Sequence, residues 1–444
     1  MACMGFVFWT ALMMGAATSP NEADLLVKLK TYFETEDRAR EAELVREIEA
    51  NPAYDRQKLG QWLHGMNLWR SFKPGTQEIK VDVGHGQTRR ITLRIPAGYK
   101  PGKPWPLIYA MHPSGGTGPA YLSSLLRDLG RDADMYIIAA PTHYHQTVID
   151  APPPFTQEHP IMLRAIRQRV HVDSDRIYVM GRSLGGYTAW TMAILHADLF
   201  AASIPISATY SLPIDVEGLW QAMASNFNHL PILHIWGGRD GLTVPGFEGR
   251  NRNTGGMSQI NRIFSKKIKD WGLKVDDHMV PGGGHGGYRM PHVKIERMLQ
   301  ETRVHFPKKV HIRFRHLHQA SAYWLEGNTW QGPAWDRPGI KIKPEKGENR
   351  AQANGRVILP LLGELRGSIQ GQVIQIKQRH LSEVTLWLGD GMINWDLPVT
   401  VKTGDKPLFQ GQLKPSLATC LARAKATMDF NRLCWASLNL KTAP

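Results

Sequence analysis

Serine 183 sits in the run Gly181-Arg182-Ser183-Leu184-Gly185, between the strand-like Ile177-Tyr178-Val179 and residues that suit a helix. A serine hydroxyl is a poor nucleophile until a base takes its proton and a third group orients that base. A G-x-S-x-G run at a strand-to-helix turn supplies the first part of such a device. Its small residues let the turn close, and the helix that follows lends partial positive charge to a developing oxyanion. The partners follow in chain order. Asp240 comes after the apolar run Pro231-Ile232-Leu233-His234-Ile235-Trp236, on a loop placed to hold an imidazole. His285 lies in Val280-Pro281-Gly282-Gly283-Gly284-His285-Gly286-Gly287, a loop free enough to carry the base. Asp276 and Asp277 compete for the carboxylate role, but they fall inside the strand expected before His285. The oxyanion calls for backbone N–H groups, one of them on the residue after the nucleophile, Leu184. The other is expected in His112-Pro113-Ser114-Gly115-Gly116; Pro113 has no N–H, so the donor is Ser114 or Gly115.

Two other chemistries compete. The chain has 18 histidines, and His112, His143, His145, His278 and His285 are candidate metal ligands. None stands at a ligand spacing such as H-E-x-x-H, so no metal and no other cofactor is expected. A non-catalytic carbohydrate- or protein-binding protein on the same scaffold is the second alternative, since a fold does not fix a function.

The elements that must position these residues are legible as periodicities. Residues 21–75 begin with apolar positions at helical spacing, from Leu25 through Ile48, which predict one long or two shorter amphipathic helices in an N-terminal helical segment. From 76 to 307, short apolar runs without strict alternation are separated by helix-compatible segments. That pattern predicts strands buried on both faces, in a mostly parallel α/β sheet opened by an antiparallel hairpin around His85-Gly86. From 308 to 444, short alternating strands with Gly-Asp and Gly-Asn turns predict a small, mainly β accessory domain, with only Pro415 to Met428 helical and strands over 339–344 and 354–361.

Composition sets limits. Within 444 residues, the first twenty carry no charge and run from an apolar stretch into Gly15-Ala16-Ala17, which resembles a secretory signal and predicts a secreted or periplasmic protein. No later stretch reaches the length a membrane-spanning helix needs, so no membrane span is expected. The net charge of +15 is uneven: from Lys308 onward 20 Lys and Arg face 10 Asp and Glu, two-thirds of the excess. Such a bias favours an anionic surface or polymer, but without a basic run or a stacking motif it predicts no nucleic acid, and solvated charge is the default. Cys420 and Cys434 are free to pair or to stay as buried thiols. Trp324, Trp330, Trp335, Trp387 and Trp395 are expected mainly in the packing of the β domain rather than as a sugar platform.

With these residues in place, the stretch from Glu78 to Phe306 resembles the α/β-hydrolases of the serine esterase and prolyl-oligopeptidase-like group, including the polyhydroxybutyrate depolymerase and feruloyl esterase-like branch. The resemblance rests on His112-Pro113-Ser114-Gly115-Gly116, Gly181 to Gly186, Asp240 and His285. It implies Ser183 as nucleophile, Asp240 as acid and His285 as base. Pro113 departs from the glycine such families often carry after the histidine. The expected reaction is hydrolysis of a carboxylic ester, small or polymer-linked, through an acyl-enzyme. A peptidase of the prolyl-oligopeptidase-like type is the alternative, disfavoured because no propeller precedes the catalytic segment.

Overall fold

A computed structural model describes residues 19–142, 153–210, 212, 215–242, 256–333 and 342–442. The chain divides into two compact units, Met1–Leu68 and Trp69–Pro444. In the first, the amphipathic run forms two helices, α1 (Pro20–Glu34) and α2 (Arg38–Glu49), followed by α3 (Leu59–Gly65). The break falls where Asp37 accepts from the Ala39 N–H at 2.8 Å and so starts a new helix. The three helices bury Leu25, Leu29, Leu44, Ile48, Leu59 and Leu63 completely.

The second unit holds an eight-stranded sheet: β1 (Gly75–Gly84), β2 (Gln87–Ile95), β3 (Trp105–Met111), β4 (Ile137–Thr142), β5 (Val172–Arg182), β6 (Ala202–Ile206), β7 (Ile232–Gly237) and β8 (Val275–Val280). The order is β1-β2-β4-β3-β5-β6-β7-β8. β1 with β2 and β2 with β4 are antiparallel, and the remaining pairs are parallel. Helices α4 (Gly118–Leu129), α5 (Pro153–Arg169), α6 (Leu184–Leu195), α7 (Leu219–Ala224), α8 (Met257–Asp270) and α9 (His292–Met298) fill the connections. Within β3, Leu107, Tyr109 and Met111 enter one apolar core while Ile108 and Ala110 enter another. Both faces of the strand are therefore covered, which is why its sequence shows no alternation. This is the α/β-hydrolase architecture that the sequence predicts. It leaves the C-terminal ends of β5, β7 and β8 along one edge of the sheet, with β6 between β5 and β7.

Beyond it lie β9 (Lys309–Phe314), β10 (Ser321–Ala322), β11 (Leu325–Trp330), α10 (Arg350–Ile358), β12 (Gly363–Gln370), β13 (Val373–Arg379), β14 (Leu381–Gly389), β15 (Val399–Thr403), β16 (Lys406–Gly411), α11 (Leu417–Thr427) and β17 (Cys434–Lys441). They make a four-stranded sheet, β10-β11-β14-β17, and a five-stranded one, β16-β15-β13-β12-β9, antiparallel except for β13 with β15. The strand expected over 354–361 is instead the end of α10 and a turn of 3₁₀ helix. The deciding signal is a capping box: Asn349 accepts from the Gln352 N–H, and the Gln352 side chain accepts from the Asn349 N–H. Ile342 to Pro344 are not strand either, and the rest of that expected strand lies outside the described residues. Trp324 is fully buried and Trp387 lies half-buried under Arg423, whereas Trp335 is outside the described residues. Cys420 and Cys434 are both buried, and burial pushes the Cys434 thiol up to about 11.

Candidate active site

Ser183 occupies the N-cap position of α6, where a serine side chain ordinarily accepts from the backbone of the first turn. Its hydroxyl makes no such bond. The backbone has φ +55°, a left-handed conformation rare outside glycine, so the turn is strained and turns the side chain away from the helix. A Cβ at Gly185 would run into the Met111 carbonyl at the end of β3, and one at Gly181 into the Gly185 carbonyl. The tight turn therefore requires both glycines.

The freed hydroxyl faces His285. Its Oγ lies 2.8 Å from His285 Nε2, and His285 Nδ1 lies 2.9 Å from Asp240 Oδ2. With a carboxylate as its partner, Nδ1 carries the proton and donates, which leaves Nε2 as the acceptor for the Ser183 O–H. The Asp240 side chain is 1% exposed and that of His285 34%. The row thus runs from the protein interior to a surface that a substrate can reach. Asp240 also accepts from the Leu242 N–H at 3.1 Å through its other oxygen.

The loops that carry Asp240 and His285 are tied together. The Arg239 N–H donates to the Gly283 carbonyl at 2.8 Å, and the Gly238 N–H to the Val280 carbonyl at 2.8 Å. Gly237 lies so close to Gly284 that a Cβ there would strike its carbonyl. Asp276 and Asp277, the rival carboxylates, are engaged elsewhere. Asp276 pairs with Lys294 at 2.6 Å and with Arg297. Asp277 accepts from Trp236 Nε1 at 2.9 Å and from Ser265, and lies 3.0 Å from His234 Nδ1.

Leu184 is the first residue of α6. The Ser183 N–H donates to the Ile206 carbonyl, and the first bond of the helix is that of the Tyr187 N–H to the Ser183 carbonyl, so the Leu184 N–H has no acceptor inside the helix. Ser114 and Gly115 are exposed on the turn after β3, whose Pro113 carbonyl accepts from the Gly116 N–H at 3.0 Å. His112 Nδ1 lies 2.8 Å from that same carbonyl. His143 and His145 lie outside the described residues.

Three residues beside the row are assigned no role by the sequence, Arg182 being a variable position of the G-x-S-x-G run. The Tyr288 hydroxyl lies 2.6 Å from Ser207 Oγ, and its ring leaves no room for a Cβ at Gly283. Burial pushes the Tyr288 hydroxyl above its usual value, so it stays protonated. Ser207, buried and at φ +49°, sits just past β6. Arg182 reaches Asp128 at 3.4 Å and Met290 Sδ at 3.6 Å, so its guanidinium braces the segment that follows His285. Only the positive φ of Ser207 marks these positions as unusual, and φ is not readable from residue type.

Residues 161–215, which include Ser183, match the model of the prolyl oligopeptidase family. No curated protein matches the chain. Among solved structures, a thermostable esterase is 20% identical with a TM-score of 0.38, over 51% of this chain and 63% of its own. An S-formylglutathione hydrolase of Staphylococcus aureus is 15% identical with a TM-score of 0.39, over 50% and 97%. The dipeptidyl peptidase 4 of Porphyromonas gingivalis is 14% identical with a TM-score of 0.34, over 50% and 34%. This chain thus spans less than two thirds of the esterase and about a third of the peptidase. The segment around Ser183 is thus similar to the prolyl oligopeptidase family, and about half of the chain is similar to solved hydrolases.

Proposed function

We propose that the chain is a serine hydrolase that cleaves carboxylic esters through an acyl-enzyme. The observation that carries this reading is the unbroken row from buried Asp240 through His285 to a serine hydroxyl diverted from its capping role. His285 takes the Ser183 proton as Oγ attacks the ester carbonyl, and Asp240 holds the imidazole in the right tautomer and stabilises the imidazolium. The Leu184 N–H, with that of Ser114 or Gly115, receives the oxyanion. His285 then passes its proton to the departing alkoxide, and water attacks the acyl-enzyme by the same steps. Residues 76–307 carry the reaction, with 308–444 as an accessory domain, and the leader-like first twenty residues support export.

Peptide hydrolysis is the second reading, favoured by the match to a peptidase family over 161–215. An ester is the substrate class common to both, because an alkoxide leaves with less help from protonation than an amine does. The test is covalent labelling by a fluorophosphonate, followed by hydrolysis of p-nitrophenyl acyl esters, feruloyl esters and aminoacyl amides by wild type and Ser183→Ala. The reading expects a single adduct on Ser183 and ester turnover lost in the variant. Labelling absent from folded protein would sink it, and amide turnover exceeding ester turnover would replace the ester by the peptide.

A further inference from the structure

The five-stranded sheet carries two chemistries on its two faces. Val310, Ile312, Leu365, Ile374, Ile376 and Val401 point inward and are buried in one core. Side chains alternate along a strand, so their neighbours point outward. Register aligns those outward positions. Arg313, Glu364 and Arg379 form one cross-strand row, and His311, Arg366 and Lys377 form the next. Lys309 opposes Ser368, which opposes Gln375, which opposes Lys402. Neighbouring rows lie about 7 Å apart and neighbouring strands about 4.8 Å apart. The outer face therefore gathers cations around Glu364, with Arg313 also donating to the Ala222 carbonyl at 2.8 Å and Arg379 to the Leu362 carbonyl at 2.9 Å.

Glu364 is the one acidic residue in these five strands, and its charge is already claimed. His311 Nε2 lies 2.7 Å from it, Arg366 Nε donates to it at 2.7 Å, and Arg313 Nη2 lies 3.4 Å away. The hydrogen bond with His311, joined against burial by Arg366 and Arg313, holds the Glu364 carboxyl down to about 2. Burial and the nearby Arg366 and Arg379 keep the Arg313 guanidinium below its usual value in spite of Glu364. Positive charge is thus left over. Arg313 and Arg379 also line a cavity of about 500 Å³ at the end of the rows, together with Gln221 and Pro360.

We propose that this face binds an acidic polysaccharide, a linear polymer whose carboxylates lie along the cation rows. Charge complementarity selects a polyanion. The neutral groups set among the cations, Ser368, Gln375, Thr400 and Gln410, match sugar hydroxyls. A single-stranded nucleic acid would need aromatic platforms for its bases, and the aromatics in these strands are turned to the core: Phe314 is fully buried and Phe409 packs on the same cluster. The inference concerns binding, and it holds whether or not Ser183 cleaves esters.

The experiment is affinity electrophoresis of the full chain in gels containing polygalacturonate or neutral dextran, at rising salt. It compares wild type with Lys377→Glu/Lys402→Glu on the face and with Lys266→Glu/Lys269→Glu on α8, which alters net charge equally. Wild type is expected to be retarded by polygalacturonate alone, less so as salt rises. The variant on the face should bind about tenfold more weakly, the order expected when two attractive charges become repulsive, while the α8 variant binds as wild type does. Lys377→Gln/Lys402→Gln gives the same reading should the reversal fail to fold, as judged by its melting temperature. The proposal is overturned by absence of retardation, by equal losses in the two reversals, or by tighter binding of single-stranded DNA than of polygalacturonate.

Discussion

Two aspartates in the sheet domain each face a histidine at nearly the same distance, and only one of the pairs ends on a hydroxyl. Asp240 and His285 lie 2.9 Å apart and lead to the Ser183 hydroxyl. Asp277 and His234 lie 3.0 Å apart, but His234 Nε2 faces the Ala208 carbonyl, also at 3.0 Å. The first histidine sits on a glycine-rich loop with a third of its side chain exposed, and the second is wholly buried in β7. Carboxylate and imidazole are therefore not enough to make a base. What distinguishes the pairs is the group at the far nitrogen: a hydroxyl can give up a proton, whereas a carbonyl can only accept one. His234 lies between two acceptors, the Asp277 carboxylate and the Ala208 carbonyl. That arrangement suits a structural clamp and not proton transfer.

The comparison predicts opposite responses to equivalent substitutions. Ser183→Ala or His285→Ala should lower kcat/KM for an activated ester by about 10⁴-fold or more, and Asp240→Asn by a comparable factor, with little change in unfolding free energy. Steady-state kinetics beside urea unfolding check this. If Ser183→Ala retained activity, the distinction between the two histidine pairs would vanish.

Asp277→Ala should do the reverse. Removing one member of a largely buried pair leaves the other without its partner, which costs about 3 kcal/mol of stability. The folded fraction should keep kcat within a few-fold of wild type. Urea titration together with activity per folded molecule separates the two effects, and a large kcat loss at unchanged stability would move Asp277 into the catalytic apparatus.

The same pair sets a pH response. Burial alone would raise the Asp277 carboxyl, but hydrogen bonds from His234, Ser265 and Trp236 outweigh burial and hold it below its ordinary 3.8. A carboxylate depressed in the folded state stabilises the protein above the ordinary value, and that contribution is lost as pH falls through the folded one. The stability gap between wild type and Asp277→Ala should therefore narrow on acidification below 3.8. Unfolding midpoints measured from pH 6 to pH 3 test it, and a constant gap would mean that Asp277 acts by packing alone.

Much of this was legible in the sequence and some was not, for physical reasons. The G-x-S-x-G turn, the order of Ser183, Asp240 and His285, and the apolar strands around them are local patterns, and the structure brings the three side chains together. Loop against strand favours Asp240 over Asp276 and Asp277 in the sequence, and in the structure both of those carboxylates have other partners. The accessory region is less legible because register decides it. A count of Lys and Arg after residue 308 shows the excess, but only the pairing of β9, β12, β13 and β15 shows that Arg313, Arg366, Lys377 and Lys402 share a face. Helix α10 was hidden because Val357 and Ile358 suit a strand, and its capping box outweighs them.

The smallest effect tests how the two pairs are joined. Ala208, whose carbonyl faces His234, follows Ser207, and Ser207 meets the Tyr288 hydroxyl on the loop that carries His285. The buried clamp thus adjoins the residue that meets the loop carrying His285. Tyr288→Phe removes one hydrogen bond, worth about 1 kcal/mol, and keeps the ring that packs under Gly283. If that bond holds His285 in line with Ser183, kcat should fall a few-fold with KM unchanged, since misalignment of the base affects chemistry and not substrate binding. Ser207→Ala should give the same loss, and the double variant no more than either alone, because both remove one interaction. Additive losses would show that Tyr288 and Ser207 act on the loop by separate routes, and would leave the clamp at His234 without a connection to the base at His285.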